Sequence, residues 1–204
     1  MTKEKTMPRL YFKYGTMGSS KSAQALMCKF NYEQKGMKVM LVKPALDTRD
    51  DGQERMVRSR IGLSEKCLTI SPIQSFVDLF EDFKAQHGCD CIIVDEAQFC
   101  TAEQIDQLKL LTQQVSVLCY GLLVDFRCKL FEGSKRLVEL ADSLQEIKSV
   151  CRCGRKSTVN ARFINGKCVD DGPVVFIGGD ESYESMCYWC WQKELLKAKE
   201  NGNF

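Results

Sequence analysis

The sequence predicts an α/β fold in which crossover helices cover a parallel sheet. Short runs rich in β-forming residues alternate with runs of helical periodicity, which is typical of such folds. A glycine-containing loop follows the first strand, and a later apolar run ends in two adjacent carboxylates. A length of 204 residues, with 44% apolar and 27% charged residues, suits one globular domain and a small appendage.

The first half of the chain carries most of this alternation. Its strand-forming runs are short and apolar, whereas its helical segments place apolar residues three or four positions apart. Residues 44–60 are polar, charged and aperiodic, which predicts a mobile surface loop. We expect strands over residues 9–14, 38–43 and 91–95, and helices over residues 21–34 and 75–86.

Another helix and strand follow in the second half. Thr101 and Gln104 form the pattern of a capping box, in which the two side chains satisfy the first free N–H groups of a helix. We therefore expect a helix over residues 101–111, and the apolar run at residues 115–121 predicts a further buried strand.

Beyond residue 150 the chain changes character, because cysteine and glycine become frequent. The pair Asn165-Gly166 predicts a tight hairpin, and a final helix is expected over about residues 189–198. The sequence therefore predicts two domains, one over residues 1–150 and a smaller one over residues 151–204.

Several classes of protein are disfavoured by composition. No apolar run approaches the roughly 20 residues that a membrane span requires, so we expect no membrane association. The opening MTKEKTMPRL has two lysines without an apolar segment behind them, which favours a cytoplasmic location over secretion. The net charge of +2 is scattered along the chain, so a polymeric nucleic acid is not the expected partner.

The segment YFKYGTMGSSKSAQALM, residues 11–27, nearly spells a phosphate-binding loop. Gly15, Lys21 and Ser22 occupy the positions of the G-x-x-x-x-G-K-[ST] pattern, but Ser20 replaces its second glycine. The loop lies between a predicted strand and a predicted helix, where backbone N–H groups can surround a phosphate. On this evidence alone, a phosphate site and a chance match both remain open.

The segment CIIVDEAQF has the form of a Walker B element. Asp95 ends an apolar strand and could reach a magnesium ion, and the adjacent Glu96 could accept a proton. A strand that ends in a solvated acidic turn is the alternative. That alternative is weaker for an Asp-Glu pair that follows a strand, a loop, a lysine and a helix of the right kind.

The 12 cysteines fall into two groups. Eight of them stand singly among apolar neighbours or in the alternating CDC triplet, and we expect them to be core residues. The other four form two tight pairs that suit tetrahedral zinc, with a redox pair as the alternative for the second. These four are Cys151, Cys153, Cys187 and Cys190.

Taken together, the motifs GTMGSSKS, LDTR, VDEAQF, GLLVDFRCKLF, CRCG and FIGGDESYESMCYWC resemble the thymidine kinase family of the zinc-containing, tetrameric type. The resemblance runs from about Arg9 to Trp191, nearly the whole chain. It implies a P-loop (RecA-like) parallel sheet flanked by helices, with a small zinc-binding domain that carries a lasso loop. It also implies transfer of the γ-phosphate of ATP to the 5′-hydroxyl of thymidine or deoxyuridine.

The resemblance assigns roles to individual residues. Glu96 corresponds to the general base. The positions implied for ATP and magnesium are Gly15, Thr16, Met17, Gly18, Ser19, Ser20, Lys21, Ser22, Asp47, Thr48, Arg49, Asp95 and Gln98. The positions implied for the acceptor nucleoside are Met17, Phe99, Leu122, Phe126, Phe131, Val174, Val175, Phe176, Ile177, Gly178 and Tyr183. A structural zinc held by the four cysteines, a homotetramer and inhibition by thymidine triphosphate are implied as well.

Two departures and two rival classes complete the sequence evidence. Ser20 stands where the family has glycine, and a Cβ there could crowd the phosphate or strain the backbone. The Cys-x-Cys spacing at Cys151 is shorter than the commoner Cys-x-x-Cys. DEAQ also occurs in helicases, but a helicase needs two such lobes. A non-catalytic nucleotide-binding module with a degenerate loop and a zinc ribbon is the remaining alternative.

Overall fold

A six-stranded parallel sheet forms the centre of the structure, a computed structural model that describes residues 9–45, 55–174 and 183–200. The strands of the described residues, six of which belong to this sheet, are β1 (Leu10–Tyr14), β2 (Val39–Pro44), β3 (Met56–Arg58), β4 (Ser64–Lys66), β5 (Leu68–Ile70), β6 (Cys91–Val94), β7 (Ser116–Gly121), β8 (Ser143–Glu146), β9 (Val159–Ile164), β10 (Lys167–Val169) and β11 (Tyr183–Met186). The helices are α1 (Lys21–Glu33), α2 (Phe76–His87), α3 (Ala102–Leu111), α4 (Glu132–Leu140) and α5 (Tyr188–Glu200).

The main sheet has the strand order β5-β2-β6-β7-β1-β8, and all its neighbours are parallel. One strand, β7, lies between the strand that precedes the glycine-containing loop and the strand that ends at the carboxylate pair, as in RecA-like domains. The predicted α/β class with a parallel sheet is therefore confirmed.

Both faces of the sheet are buried. Successive residues of each central strand point to opposite faces, so each strand contributes to both cores. Ile92 and Val94 of β6 belong to one core, whereas Cys91 and Ile93 belong to the other. The first core is covered by α2, α3 and α4, and the second by α1 and β3. This double burial explains why β6 and β7 read as continuous apolar runs in the sequence.

The helix signals in the sequence correspond to real caps. Thr101 accepts a hydrogen bond from Gln104 N (3.2 Å), and the Gln104 side chain accepts one from Thr101 N (3.1 Å), so the predicted capping box is confirmed. Ser75 caps α2 with its side chain alone, by accepting hydrogen bonds from Val77 N and Asp78 N. These contacts set the starts of α2 and α3.

The prediction of a loop over residues 44–60 was wrong at Pro44 and at Met56–Arg58. Pro44 is the last residue of β2, where it pairs with Ile70, and Met56–Arg58 forms β3, which pairs with β4 as an antiparallel hairpin. Charged residues obscured β3, since only Val57 at its centre is buried. Residues 46–54 lie outside the described part of the chain.

A second, three-stranded antiparallel sheet lies in the C-terminal part, in the order β10-β9-β11. The hairpin predicted at Asn165 and Gly166 is confirmed, because both residues have the positive φ angles (51° and 76°) of a tight turn between β9 and β10. Helix α5 packs on this sheet through Trp191 and Leu195. Within the described ranges, no helix has the length and apolar character needed to cross a membrane.

Candidate active site

The glycine-containing loop joins the end of β1 to the start of α1. Gly15 N donates a hydrogen bond to Gly121 O (3.3 Å), which fixes the start of the loop to β7. A Cβ on Gly15 would lie 2.4 Å from Ile147 O and 2.5 Å from Ser19 Oγ, so only glycine fits there. At the other wall of the loop, the hydroxyl groups of Thr16 and Ser149 share a hydrogen bond of 2.5 Å.

Lys21 is the first residue of α1, and only 8% of it is exposed. Its Nζ donates hydrogen bonds to Gly15 O (3.2 Å) and Thr16 O (2.8 Å), so the ammonium group is folded over the loop. Ser19 beside it is also buried, and its Oγ has no hydrogen-bond partner among the described residues. A cation and a buried hydroxyl thus converge on the N-terminus of a helix, which is where anions bind.

Ser20 adopts the left-handed conformation (φ 65°, ψ 24°) immediately before α1. This conformation favours glycine, the residue that the phosphate-loop pattern has here. The Ser20 side chain is exposed and makes no capping hydrogen bond to α1. The backbone of the loop therefore keeps the shape that glycine would give it, at a local conformational cost.

Asp95 follows the last residue of β6, and its backbone N–H donates to Val42 O (3.0 Å) of the adjacent strand. Burial raises the pKa of its carboxyl to about 7, and the nearby charge of Glu96 adds to the rise, whereas a hydrogen bond from Ser22 opposes it. Its Oδ1 atom is buried without a partner in the described structure. An uncompensated carboxylate oxygen beside a hydroxyl suits a hard cation.

Glu96 adopts a left-handed backbone conformation (φ 53°) and starts a short 3₁₀ turn, Ala97–Phe99. Gln98 Nε2 donates a hydrogen bond of 2.6 Å to Glu96 Oε2, and Gln98 Oε1 accepts one of 3.0 Å from Leu122 N. A Cβ on Gly121 would lie 2.7 Å from Gln98 Oε1, so this glycine makes room for the amide. Gln98, expected among the nucleotide-binding residues, therefore also orients the Glu96 carboxylate.

A cavity of about 300 Å³ opens next to this pair. Gln98 lies in its wall, and two aromatic side chains, Phe99 and Phe131, line it and pack edge to face with centroids 5.7 Å apart. Val174 also lines it, whereas Met17, Leu122, Phe126 and Tyr183 are not among its lining residues. Phe126 is buried instead beneath the Arg127 and Arg162 guanidinium groups.

Sequence reasoning missed two charged residues of this cavity, Asp125 and Arg127. Asp125 Oδ2 accepts hydrogen bonds from Nε (2.9 Å) and Nη2 (2.7 Å) of Arg127, and Oδ1 accepts from the backbone N–H groups of Arg127 and Lys129. An aspartate that opens a turn by accepting from the residue two positions on is a recognisable local pattern. The segment DFRCK carries that signal and starts four residues after the end of β7.

The two cysteine pairs come together at the start of α5. The Sγ atoms of Cys151, Cys153, Cys187 and Cys190 all lie within 4.8 Å of one another, and those of Cys153 and Cys187 are 3.6 Å apart. Four thiolates around a zinc ion at about 2.3 Å would lie roughly 3.8 Å apart, so the cluster fits such an ion. Gly154, with φ +83°, forms the turn after the first pair.

The thiols of this cluster differ in the direction in which their pKa is shifted. The backbone N–H of Cys190 lowers the pKa of Cys187 to about 7, so this thiol is the readier to ionise. Hydrogen bonds with Cys153 and Cys187 raise the pKa of the Cys190 thiol. The donor set is suited to a metal ion.

Seven predicted site residues lie outside the described part of the chain: Asp47, Thr48, Arg49, Val175, Phe176, Ile177 and Gly178.

The protein has a parallel sheet, a glycine-containing loop followed by a lysine at the start of the first helix, and a carboxylate pair after a central strand. These features define the P-loop nucleotide-binding class. The sequence model of the thymidine kinase family matches residues 8–191. The chain belongs to the thymidine kinase family, and it is accordingly an ATP-dependent nucleoside kinase.

Individual relatives agree. A thymidine kinase of Legionella pneumophila (strain Paris) is 44% identical over 185 residues, which cover 89% of this chain and 88% of the relative. The thymidine kinase of Enterobacteria phage T4 is 43% identical over 194 residues, covering 94% and 98% of the two chains. Among solved structures, the Pif1 helicase of Candida albicans has a low TM-score of 0.41 at 12% identity, over 72% of this chain and 37% of its own.

Proposed function

We propose that the chain transfers the γ-phosphate of ATP to the 5′-hydroxyl of thymidine or deoxyuridine, with release of ADP. The observation that carries this proposal is the position of Gln98. Its amide lies in the wall of the aromatic cavity and donates to the Glu96 carboxylate, one residue from Asp95. A nucleoside in the cavity would therefore have the Glu96 carboxylate, which can act as a general base, on the side that faces the phosphate loop.

On the phosphate side, the loop and the first turn of α1 supply the binding groups. The Lys21 ammonium and the backbone N–H groups at the start of α1 would hold the triphosphate. The residues present also fit magnesium, because Asp95 Oδ1 is buried without a partner among the described residues and Ser22 lies beside this carboxylate. A magnesium ion held there supplies positive charge that offsets the charge of the phosphates.

On the acceptor side, Phe99 and Phe131 offer apolar faces to a flat base. Glu96 would accept the proton of the 5′-hydroxyl as that oxygen attacks the γ-phosphorus, and ADP leaves as the bond to the bridging oxygen breaks. The Leu122 N–H and the Gln98 amide keep the Glu96 carboxylate aimed, so little reorganisation is required at the moment of transfer. An assay of ADP release with thymidine, deoxycytidine or no nucleoside tests the proposal.

Further proposals concern the domains, the assembly and the regulation of the protein. We propose two domains, residues 1–150 and 151–204, a homotetramer in the cytoplasm, and inhibition by thymidine triphosphate bound at the acceptor site. The exposed apolar side chains of Met27 and Phe30 on α1, 56% and 60% accessible, favour an assembly that covers them. Sedimentation of the purified protein tests the oligomeric state.

Replacing Ser20 with glycine should preserve activity or improve it. The left-handed backbone at Ser20 costs about 1 kcal/mol more for serine than for glycine, and glycine also allows closer approach to a phosphate. We expect the KM for ATP to fall by about twofold and the kcat to be unchanged or slightly higher. Asn165→Gly is the matched control, since Asn165 is also left-handed but lies in a remote hairpin. A rise in the KM for ATP in Ser20→Gly alone would contradict the prediction.

We propose that zinc occupies the cysteine cluster and stabilises the small sheet. Cys187→Ser removes one thiolate, and a loss of about 3 kcal/mol should lower the Tm by roughly 10 °C together with the zinc content. Thymidine binding should weaken too. Tyr183, one of the positions implied for the nucleoside, lies in β11, which ends at the residue before Cys187. Cys168→Ser, in the same core but outside the cluster, should keep its zinc. Metal analysis that finds no zinc in the reduced, folded protein would show that the assignment is wrong.

A further inference from the structure

One cross-strand residue pair of the small sheet binds the middle of the phosphate loop. Asn160 of β9 and Ser185 of β11 are direct partners in the antiparallel register. Asn160 Oδ1 accepts a hydrogen bond of 2.7 Å from Met17 N, and the Ser185 hydroxyl donates to Met17 O. Both backbone polar groups of Met17 are thus bound by side chains that lie more than 140 positions away along the chain.

The same asparagine also reaches the acceptor side. Asn160 Nδ2 donates a hydrogen bond of 3.2 Å to Val124 O. Val124 forms a bridge with Leu130, and between them lies the turn that carries Asp125 and Arg127. Leu130, Asp125 and Arg127 line the aromatic cavity. We call the segment from Val124 to Leu130 the acceptor turn. The Asn160 amide therefore contacts the phosphate loop with its oxygen and the first residue of the acceptor turn with its nitrogen.

The chemistry of the amide allows only this orientation. Met17 offers an N–H donor and Val124 offers a carbonyl acceptor, so a flipped amide would place donor against donor and acceptor against acceptor. Asn160 is only 3% exposed, which leaves water little access to replace either contact. A buried amide with both ends satisfied fixes the distance between the two segments that it joins.

We propose that Asn160 and Ser185 are positioning residues that hold the phosphate loop in register with the acceptor turn. The inference rests on the proposed phosphoryl transfer, in which the γ-phosphate and the 5′-hydroxyl must meet with an error well below 1 Å. Asn160 acts on both substrates because it contacts both segments. Ser185 acts on the phosphate loop alone through Met17 O.

Steady-state kinetics with each substrate varied in turn test the proposal. Ser185→Ala should raise the KM for ATP about fivefold and leave the KM for thymidine within twofold. Ser185→Thr keeps the hydroxyl and should restore the wild-type values. Asn160→Leu, of similar volume but without polar atoms, should raise both KM values and lower kcat by about tenfold. The combined variant should affect the KM for ATP by less than the product of the single effects, since both residues hold Met17.

Ser157→Ala is the matched control. Ser157 is buried in the same part of the molecule, and its hydroxyl donates to Ser185 O rather than to Met17. This variant should lower the Tm but leave both KM values unchanged. If Asn160→Leu does not fold, the comparison of Ser185→Ala with Ser185→Thr tests the positioning role.

The possible failures are distinguishable. Wild-type protein without thymidine-dependent ADP release would refute the proposed function. An active wild type whose Asn160→Leu and Ser185→Ala variants match Ser157→Ala in both KM values would overturn the positioning role, because their effects would then be those of fold stability alone.

Discussion

Glu96→Gln is expected to lower turnover by about 10²-fold or more while ATP and thymidine still bind. Glutamine has nearly the shape of glutamate and keeps an oxygen that can accept the hydrogen bond from Gln98 Nε2. It cannot take up the proton of the 5′-hydroxyl. The loss should therefore fall on kcat, with both KM values within a few-fold of wild type.

Glu132→Gln is the control for this change. Glu132 lines the same cavity, and its carboxylate accepts a hydrogen bond from Ala102 N, which glutamine can also do. The charge lost is the same, but Glu132 lies at the start of α4 rather than beside Asp95. Turnover of Glu132→Gln should stay near wild type. If Glu96→Gln behaved like Glu132→Gln, the role of general base would belong to another group.

Lys21→Ala should reduce kcat/KM for ATP by about 10³-fold. The substitution removes the ammonium group that would contact the phosphates. It also removes the hydrogen bonds that hold Gly15 O and Thr16 O, so the loop loses both its charge and part of its shape. Initial rates over a range of ATP concentrations, together with ATP binding measured by calorimetry, separate the loss of binding from the loss of turnover.

Lys29→Ala provides the comparison, because Lys29 lies two turns further along α1 and pairs with Glu33. The helix, the residue type and the substitution are the same, but the position is remote from the loop. We expect its kcat/KM to remain within about twofold of wild type. Full activity in Lys21→Ala would mean that ATP binds elsewhere and that the loop only resembles a phosphate site.

Local signals in the sequence predicted much of the fold. The alternation of apolar runs identified β1, β2, β6 and β7, since each central strand is buried on both faces. The short strands β3 and β4 escaped notice, because β4 is exposed throughout and β3 buries only its central residue. Periodicity reports burial, so it does not reveal strands that are mostly solvated.

The candidate site was predictable only where its residues belong to contiguous motifs. The phosphate loop and the Asp95-Glu96 pair each occupy a short run of sequence. Asn160 belongs to no such motif, and its two contacts lie 143 and 36 positions away. A contact of this kind depends on how the small sheet packs against the large one, which a single sequence taken by itself does not reveal.

The position of β1 between β7 and β8 has a consequence for how the chain folds. In the described structure, the first strand of the main sheet to be synthesised, β1, pairs with strands that begin at residues 116 and 143. A nascent chain that ends before these residues leaves β1 without either neighbour, and the phosphate loop after it without the contact from Gly121. Closing such long loops is slow because chain entropy must be lost first. The nucleotide site should therefore be one of the last features to form, and an amino-terminal fragment that stops before β7 should not bind ATP.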